Sequence, residues 1–198
     1  MGAARVGNDV VDLGDATIAQ HHRRLRFVER VLGEHERAAL AASTEPHALL
    51  WSFFAAKEAA FKVVSKLFGP VVFAHRRFVV ATDLGSVRYG SVELAAAVGV
   101  EGHAVHAVVW HGDAAPPIRA LAALDGSRDA SQAARRLLCE RASRRLGVPA
   151  ADLAVARSEL PGSWDGFGPP ELLLRGVPVD GDVSLSHDGR WVACAAYL

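Results

Sequence analysis

The chain has 198 residues, 51% of them hydrophobic and 22% charged, a balance that specifies one sizeable folded domain or two small halves sharing a core and excludes a wholly disordered chain. Lys plus Arg number 22 and Asp plus Glu number 22, so a formal net charge of zero leaves no electrostatic footprint for general nucleic-acid binding. No uninterrupted apolar run reaches the ~18 residues that span a bilayer, and the N-terminal stretch has no leader-like apolar core, so a cytoplasmic protein without a membrane segment is expected.

In chain order, a strand is expected over Val6–Leu13, a helix from Ala19 to about Ala42, and a second helix from His47 to Phe68, stopped by Gly69-Pro70. Strands follow around Val71–Thr82, Ser86–Leu94 and His103–Trp110, the first two forming a hairpin through Asp83-Leu84-Gly85. From 112 to 128 the chain reads as a connector, with a short helical turn at Ile118–Leu124. An amphipathic helix then covers Asp129–Leu146 with a Gly147 stop, a Gly- and Pro-rich loop covers Pro161–Pro170, and strands occupy Glu171–Leu174 and Asp182–Leu198. Residues 1–111 and 129–198 thus share an element order: a long helix, a hairpin-like segment, a final alternating strand. The expected fold class is α+β, two similar halves, each a long helix on a small antiparallel sheet.

Three segments hold candidate chemistry. Gly7-Asn8-Asp9-Val10-Val11-Asp12 places two carboxylates on a strand, where Asp9 and Asp12 point to opposite faces. In Trp51–Lys66, Glu58, Lys62, Ser65 and Lys66 share one helical arc, and an ordinary amphipathic helix with one Glu58–Lys62 surface pair, worth ~0.2–0.5 kcal/mol, accounts for it. Lys57 does not fit that account. It projects from the mainly apolar side, where an ammonium needs a partner or an anionic ligand to offset desolvation. At the C-terminal end, Asp188-Gly189 between two alternating strands signals a tight hairpin with His187 opposite Arg190 at its tip. An exposed turn with incidental polar residues is the plain alternative. His21, His22, His75, His103, His106 and His111 show no ligand pattern, and Cys139 and Cys194 read as reduced, buried thiols.

Taken together, Gly7-Asn8-Asp9, the Phe54-Ala55-Ala56-Lys57-Glu58-Ala59-Ala60-Phe61-Lys62 segment and Ser184-Leu185-Ser186-His187 resemble the three motifs of the 4′-phosphopantetheinyl transferase superfamily. The resemblance implies transfer of the phosphopantetheine group of coenzyme A to a serine of an apo acyl or peptidyl carrier protein. It implies Asp9 and Glu58 as Mg²⁺ ligands, since this hard ion takes one or two carboxylates and completes its shell with phosphate and water. It also implies Lys62 on the pyrophosphate, Lys57 either beside it there or bracing the site, Glu36 as base for the serine, and Ser186, His187 and Arg190 on the 3′-phosphate end of coenzyme A.

Two departures stand out. Val11 occupies the place of a second acidic residue found in two-half relatives, and Gly168-Pro169-Pro170 lacks a loop cation for which Arg157 or Arg175 would have to substitute. The halves also run in reversed order, which implies a circularly permuted monomer with coenzyme A between the halves and Leu198 near the strand that starts at Val6. The alternative arrangement is a single-half enzyme with a long insertion that trimerises. The alternative function is a non-catalytic module that binds coenzyme A or a carrier protein.

Overall fold

The computed structural model describes residues 4–112, 115–124, 126, 129–161 and 166–198. The connector positions 113–114, 125 and 127–128, and residues 162–165 of the Gly- and Pro-rich loop, lie outside the described residues.

Strand β1 (Arg5–Asp12) leads into a turn of 3-10 helix at His21–Arg23 and then two short helices, α1 (Leu25–Val31) and α2 (Glu34–Ala42). The single helix expected over 19–42 is therefore broken. Leu32 and Gly33 are extended, and Glu36 reaches back to the Gly33 N–H (2.6 Å), which starts a new helix there. Helix α3 (Pro46–Phe68) has Pro46 in its first turn, where a missing N–H costs nothing, and ends at Gly69 with φ 81°.

Strands β2 (Phe78–Val80), β3 (Ser86–Tyr89), β4 (Val92–Glu101) and β5 (Ala104–His111) complete the first half. The β2–β3 hairpin forms through 81–85 as expected, while the strand expected over Ser86–Leu94 divides at Gly90 into β3 and the longer β4. The five strands form one antiparallel sheet in the order β1-β5-β4-β3-β2, and α3 packs on one face.

The second half comprises β6 (Ile118–Ala123), α4 (Ala130–Leu146), β7 (Leu153–Glu159), β8 (Phe167–Leu174), β9 (Val177–Pro178), β10 (Asp182–Asp188) and β11 (Trp191–Tyr197). The segment expected as a helical turn in the connector is the strand β6, paired antiparallel along β11 from Ile118↔Ala196 to Ala123↔Trp191. Its Ala- and Leu-rich sequence has helical propensity, which the ladder overrides. Helix α4 is capped by Asp129, whose carboxylate accepts from the Ser131 and Gln132 N–H groups, and ends at left-handed Gly147. The sheets are β10-β11-β6 and β7-β8-β9, with β8 lying beside β10.

The chain is thus an α+β fold of two similar halves. In each, an opening strand pairs with the half's last strand, which pairs with the strand before it: β1-β5-β4 and β6-β11-β10. The two sheets stack face to face. Val6, Val10, Ala104 and Val108 of the first half meet Leu121, Ala193 and Ala195 of the second, while α3 and α4 cover the outer faces. Val6 packs with Ala195 and Tyr197, so the beginning of β1 lies against the end of β11. Cys194 is buried and Cys139 half-buried, both free thiols. No helix among the described residues is long and apolar enough to cross a membrane.

Candidate active site

The site is organised by how closely β1 approaches α3. A Cβ on Gly7 would collide with the Ala59 carbonyl oxygen, so only glycine lets the strand lie this near the helix. That contact carries Asp9 to the helical arc of Glu58 and Lys62. The Lys62 ammonium donates to Asp9 Oδ1 (3.1 Å) and to the Asn8 carbonyl (2.7 Å). The surface pair expected between Glu58 and Lys62 is replaced by Lys62–Asp9, because the strand offers a carboxylate and a carbonyl together.

Asp9, Glu58 and Lys62 are all partly open to solvent, with side chains 17%, 27% and 31% exposed. Desolvation and the nearby Asp9 charge push the Glu58 carboxyl up to about 7. Asp9 is also raised, by burial first, against the lowering charge of Lys62, with the Asp188 carboxylate of the second half adding repulsion. Two acids that resist joint ionisation are an incomplete charge arrangement, and a hard divalent cation between them would relieve it. The donor set of two carboxylates therefore fits Mg²⁺ with phosphate and water completing its shell. Among the described residues no group of three or more His, Cys, Asp or Glu side chains is placed to hold a metal. Val11, at the position of the absent second acid, is packed into the core under α3.

Lys57 and Glu36 form a buried pair away from this opening. Both side chains are fully buried, with Nζ–Oε2 2.8 Å. Lys57 also donates to the Phe78 (2.6 Å) and His75 (3.2 Å) carbonyls, while Glu36 accepts from the Gly33 (2.6 Å) and Val80 (2.9 Å) N–H groups. The oddly placed lysine thus has its partner, as its apolar surroundings required. The base role expected of Glu36 is not supported, because its oxygens are occupied and sealed from solvent. The pyrophosphate contact expected of Lys57 meets the same obstacle. The pair instead ties α2, α3 and the 75–80 segment together.

The second half approaches along β1. Side chains of β10 bond to β1 in sequence: Asp182 to the Val6 N–H (2.7 Å), Ser184 to the Asn8 N–H (2.9 Å), Ser186 to the Asn8 side-chain amide (2.8 Å) and Asp188 to the Asp12 N–H (2.8 Å). The Ser186 hydroxyl expected on a phosphate is therefore buried in this seam and engaged with Asn8. His106 lines the same seam, and its burial holds the imidazole down at about 4. Lys66, which carried no role in the sequence reading, reaches through it to Asp182 (2.8 Å) and the Val6 and Val183 carbonyls (2.7 Å each).

The hairpin tip differs from expectation by one residue. Asp188 pairs with Trp191 and His187 with Val192, so Gly189-Arg190 form the loop and His187 does not face Arg190. The Arg190 guanidinium makes a two-pronged contact with Asp12 (2.8 and 2.9 Å), which holds that carboxyl well below the usual range. The phosphate contact expected of Arg190 would need that fork released. His187 remains exposed on β10. Of the two cations considered for the Gly168-Pro169-Pro170 segment, Arg157 lies beside it, donating to the Gly168 carbonyl (2.7 Å), whereas Arg175 is paired with Asp152.

One residue near Glu58 had no signal in the sequence. His75 sits 4.0 Å from it, on a turn whose place only the tertiary fold determines. Rings then run from His75 through Phe54 (5.1 Å) and Trp51 to Phe27, ending at a surface depression lined by Arg23, Arg24, Leu25, Arg26, Phe27 and Arg30.

Residues 5–92 match a family model described as the 4′-phosphopantetheinyl transferase superfamily, which bears out the resemblance carried by Gly7-Asn8-Asp9 and the Lys57-Glu58-Ala59 helix. Among solved structures, the chain is similar to the holo-[acyl-carrier-protein] synthase of Thermotoga maritima at 14% identity and a TM-score of 0.39, over 87% of this chain and 83% of that one. No curated protein gives a match.

Proposed function

We propose that the chain transfers the 4′-phosphopantetheine group of coenzyme A to a serine hydroxyl of an apo acyl or peptidyl carrier protein, with Mg²⁺ held by Asp9 and Glu58. The observation that carries this reading is the meeting of Asp9, Glu58 and Lys62 where β1 touches α3. In the reaction the serine oxygen forms a bond to the β-phosphorus of coenzyme A, the pyrophosphate P–O bond breaks to release adenosine 3′,5′-bisphosphate, and the serine proton passes to water. Bound Mg²⁺ supplies Lewis-acid stabilisation of charge on the phosphate oxygens. Asp9 and Glu58 fix its place, and Lys62, anchored on Asp9 and the Asn8 carbonyl, presents its ammonium to the same oxygens as a point charge. Glu36 and Lys57 act here as a brace for α3.

The adenosine end would extend toward the second half, where His187 is exposed and Asp188 reaches β1. The site then lies between halves of a monomer whose half order is permuted. That arrangement requires the beginning of β1 near the end of β11, and Val6 packs on Ala195 and Tyr197. For the carrier, the depression lined by Arg23, Arg24, Arg26 and Arg30 offers charge complementarity to an acidic helix, with exposed Leu25 as an apolar contact. The ring series from Phe27 to His75 leads from that depression to Glu58.

The competing reading, a non-catalytic module binding coenzyme A or a carrier protein, is favoured by one observation: Ser186 and Arg190 are already engaged within the fold. A single experiment separates the two. The protein is mixed with coenzyme A, Mg²⁺ and a panel of apo carriers, and carrier mass is read by mass spectrometry. A phosphopantetheine mass gain is expected, reduced about a thousandfold or more in rate by Glu58→Ala. Calorimetric coenzyme A binding with no mass gain on any carrier would establish the module reading instead.

A further inference from the structure

We propose that His75 is a positioning residue for Glu58, donating from its Nε2 to Glu58 Oε1 and turning that carboxylate toward the divalent cation. The inference rests on the reading of Glu58 as a metal ligand. It begins from an unsatisfied group. His75 Nε2 is buried and has no hydrogen-bond partner among the described residues, and buried polar atoms are rarely left so. The carboxylate it faces is Glu58, with Nε2–Oε1 4.0 Å. The proposed bond requires the glutamate side chain to approach the imidazole, which is packed between two aromatic rings.

The imidazole is held by three contacts. Phe73 and Phe54 flank the ring, with centroids at 4.3 and 5.1 Å. The His75 carbonyl is held by the Lys57 ammonium at 3.2 Å, and Lys57 is itself fixed by Glu36 and the Phe78 carbonyl. The buried Glu36–Lys57 pair thereby sets the position of the His75 backbone, and the two phenylalanines set the plane of its ring. Carboxylates that ligate metals are held in orientation by such outer hydrogen bonds, and losing one lowers metal affinity about 10–100-fold. His75 supplies a donor where Glu58 has no other side chain within ion-pair distance among the described residues.

The test uses Mn²⁺ as a paramagnetic probe, titrated by electron paramagnetic resonance into the full chain. His75→Phe keeps an aromatic ring between Phe54 and Phe73 but removes the donor. His75→Gln keeps an N–H donor at similar reach. Circular dichroism and thermal melting confirm that each variant is folded. The expected result is a Kd for Mn²⁺ raised about tenfold or more in His75→Phe and largely restored in His75→Gln. Equal Kd values for wild type and His75→Phe would overturn the proposal, as would equal weakening in both variants, because His75→Gln retains an N–H donor. Absence of Mn²⁺ binding by the wild-type chain would overturn the metal reading of Asp9 and Glu58, and this inference with it.

Discussion

Glu58 is a residue that its surroundings push away from its ordinary ionisation. Its carboxyl stands at about 7 against an ordinary 4.5, raised by burial and then by Asp9. Between those two pH values the native chain keeps a proton that the unfolded chain releases. Stability of the metal-free protein therefore falls as pH rises from about 4.5 through 7, the sign expected for a raised acid. Glu58→Gln removes the ionisable group. Urea unfolding in chelator is expected to show the variant more stable than wild type at pH 8, by about 2–3 kcal/mol, with the difference vanishing near pH 4. Added Mg²⁺ should stabilise wild type and leave the variant unchanged. A wild-type stability that is flat between pH 4.5 and 8 would contradict the shift. Lys57 shows the opposite case one position earlier in the chain. Burial lowers its pKa against the raising charge of the Glu36 carboxylate, and its donations to Glu36 and to two carbonyls make it a structural tie.

At the scale of elements, the contact between β1 and β10 holds the two halves together. It is made by side chains on backbone rather than by a ladder, with Asp182, Ser184 and Asp188 each serving a residue 176 positions earlier. Asp182 matters most because it also meets the buried Lys66 ammonium, which spans from α3 through β1 to β10. Asp182→Ala leaves the Val6 N–H without its acceptor and Lys66 without its counter-charge, an expected loss of about 3 kcal/mol in denaturant unfolding. Asp182→Asn keeps an acceptor and should lose less. A change below about 0.5 kcal/mol for the alanine variant would show the seam to be dispensable.

Across the whole molecule, two helix-covered sheets meet through Val6, Val10, Ala104 and Val108 on one side and Leu121, Ala193 and Ala195 on the other. These faces bury apolar side chains together with the polar groups Asn8, His106 and Ser186, so neither half is complete without its partner. Thermal unfolding is expected as one cooperative transition, with near- and far-ultraviolet circular dichroism midpoints coinciding. Two separated midpoints would mark the halves as independent domains. The same stacking brings Asp188 of the second half within electrostatic reach of Asp9 in the first.

What the sequence determined by itself was local. The interval from Gly7 to Asp9, the helical arc of Glu58 and Lys62, the stops at Gly69 and Gly147, and the misfit of Lys57 follow from backbone periods that act over a few residues. Those features were enough for the α+β class and for the family resemblance. Partner choice was not legible in this way. Lys62 takes Asp9 rather than Glu58, Lys57 takes Glu36, Ser186 turns inward to Asn8, and Arg190 closes on Asp12. The 118–123 segment becomes a strand only because β11 offers it an edge. Each of these outcomes depends on sheet register and on how the two halves dock, which are set by packing between residues far apart in the chain. The tertiary structure alone therefore decided which polar groups stay open at the site and which are spent holding it together.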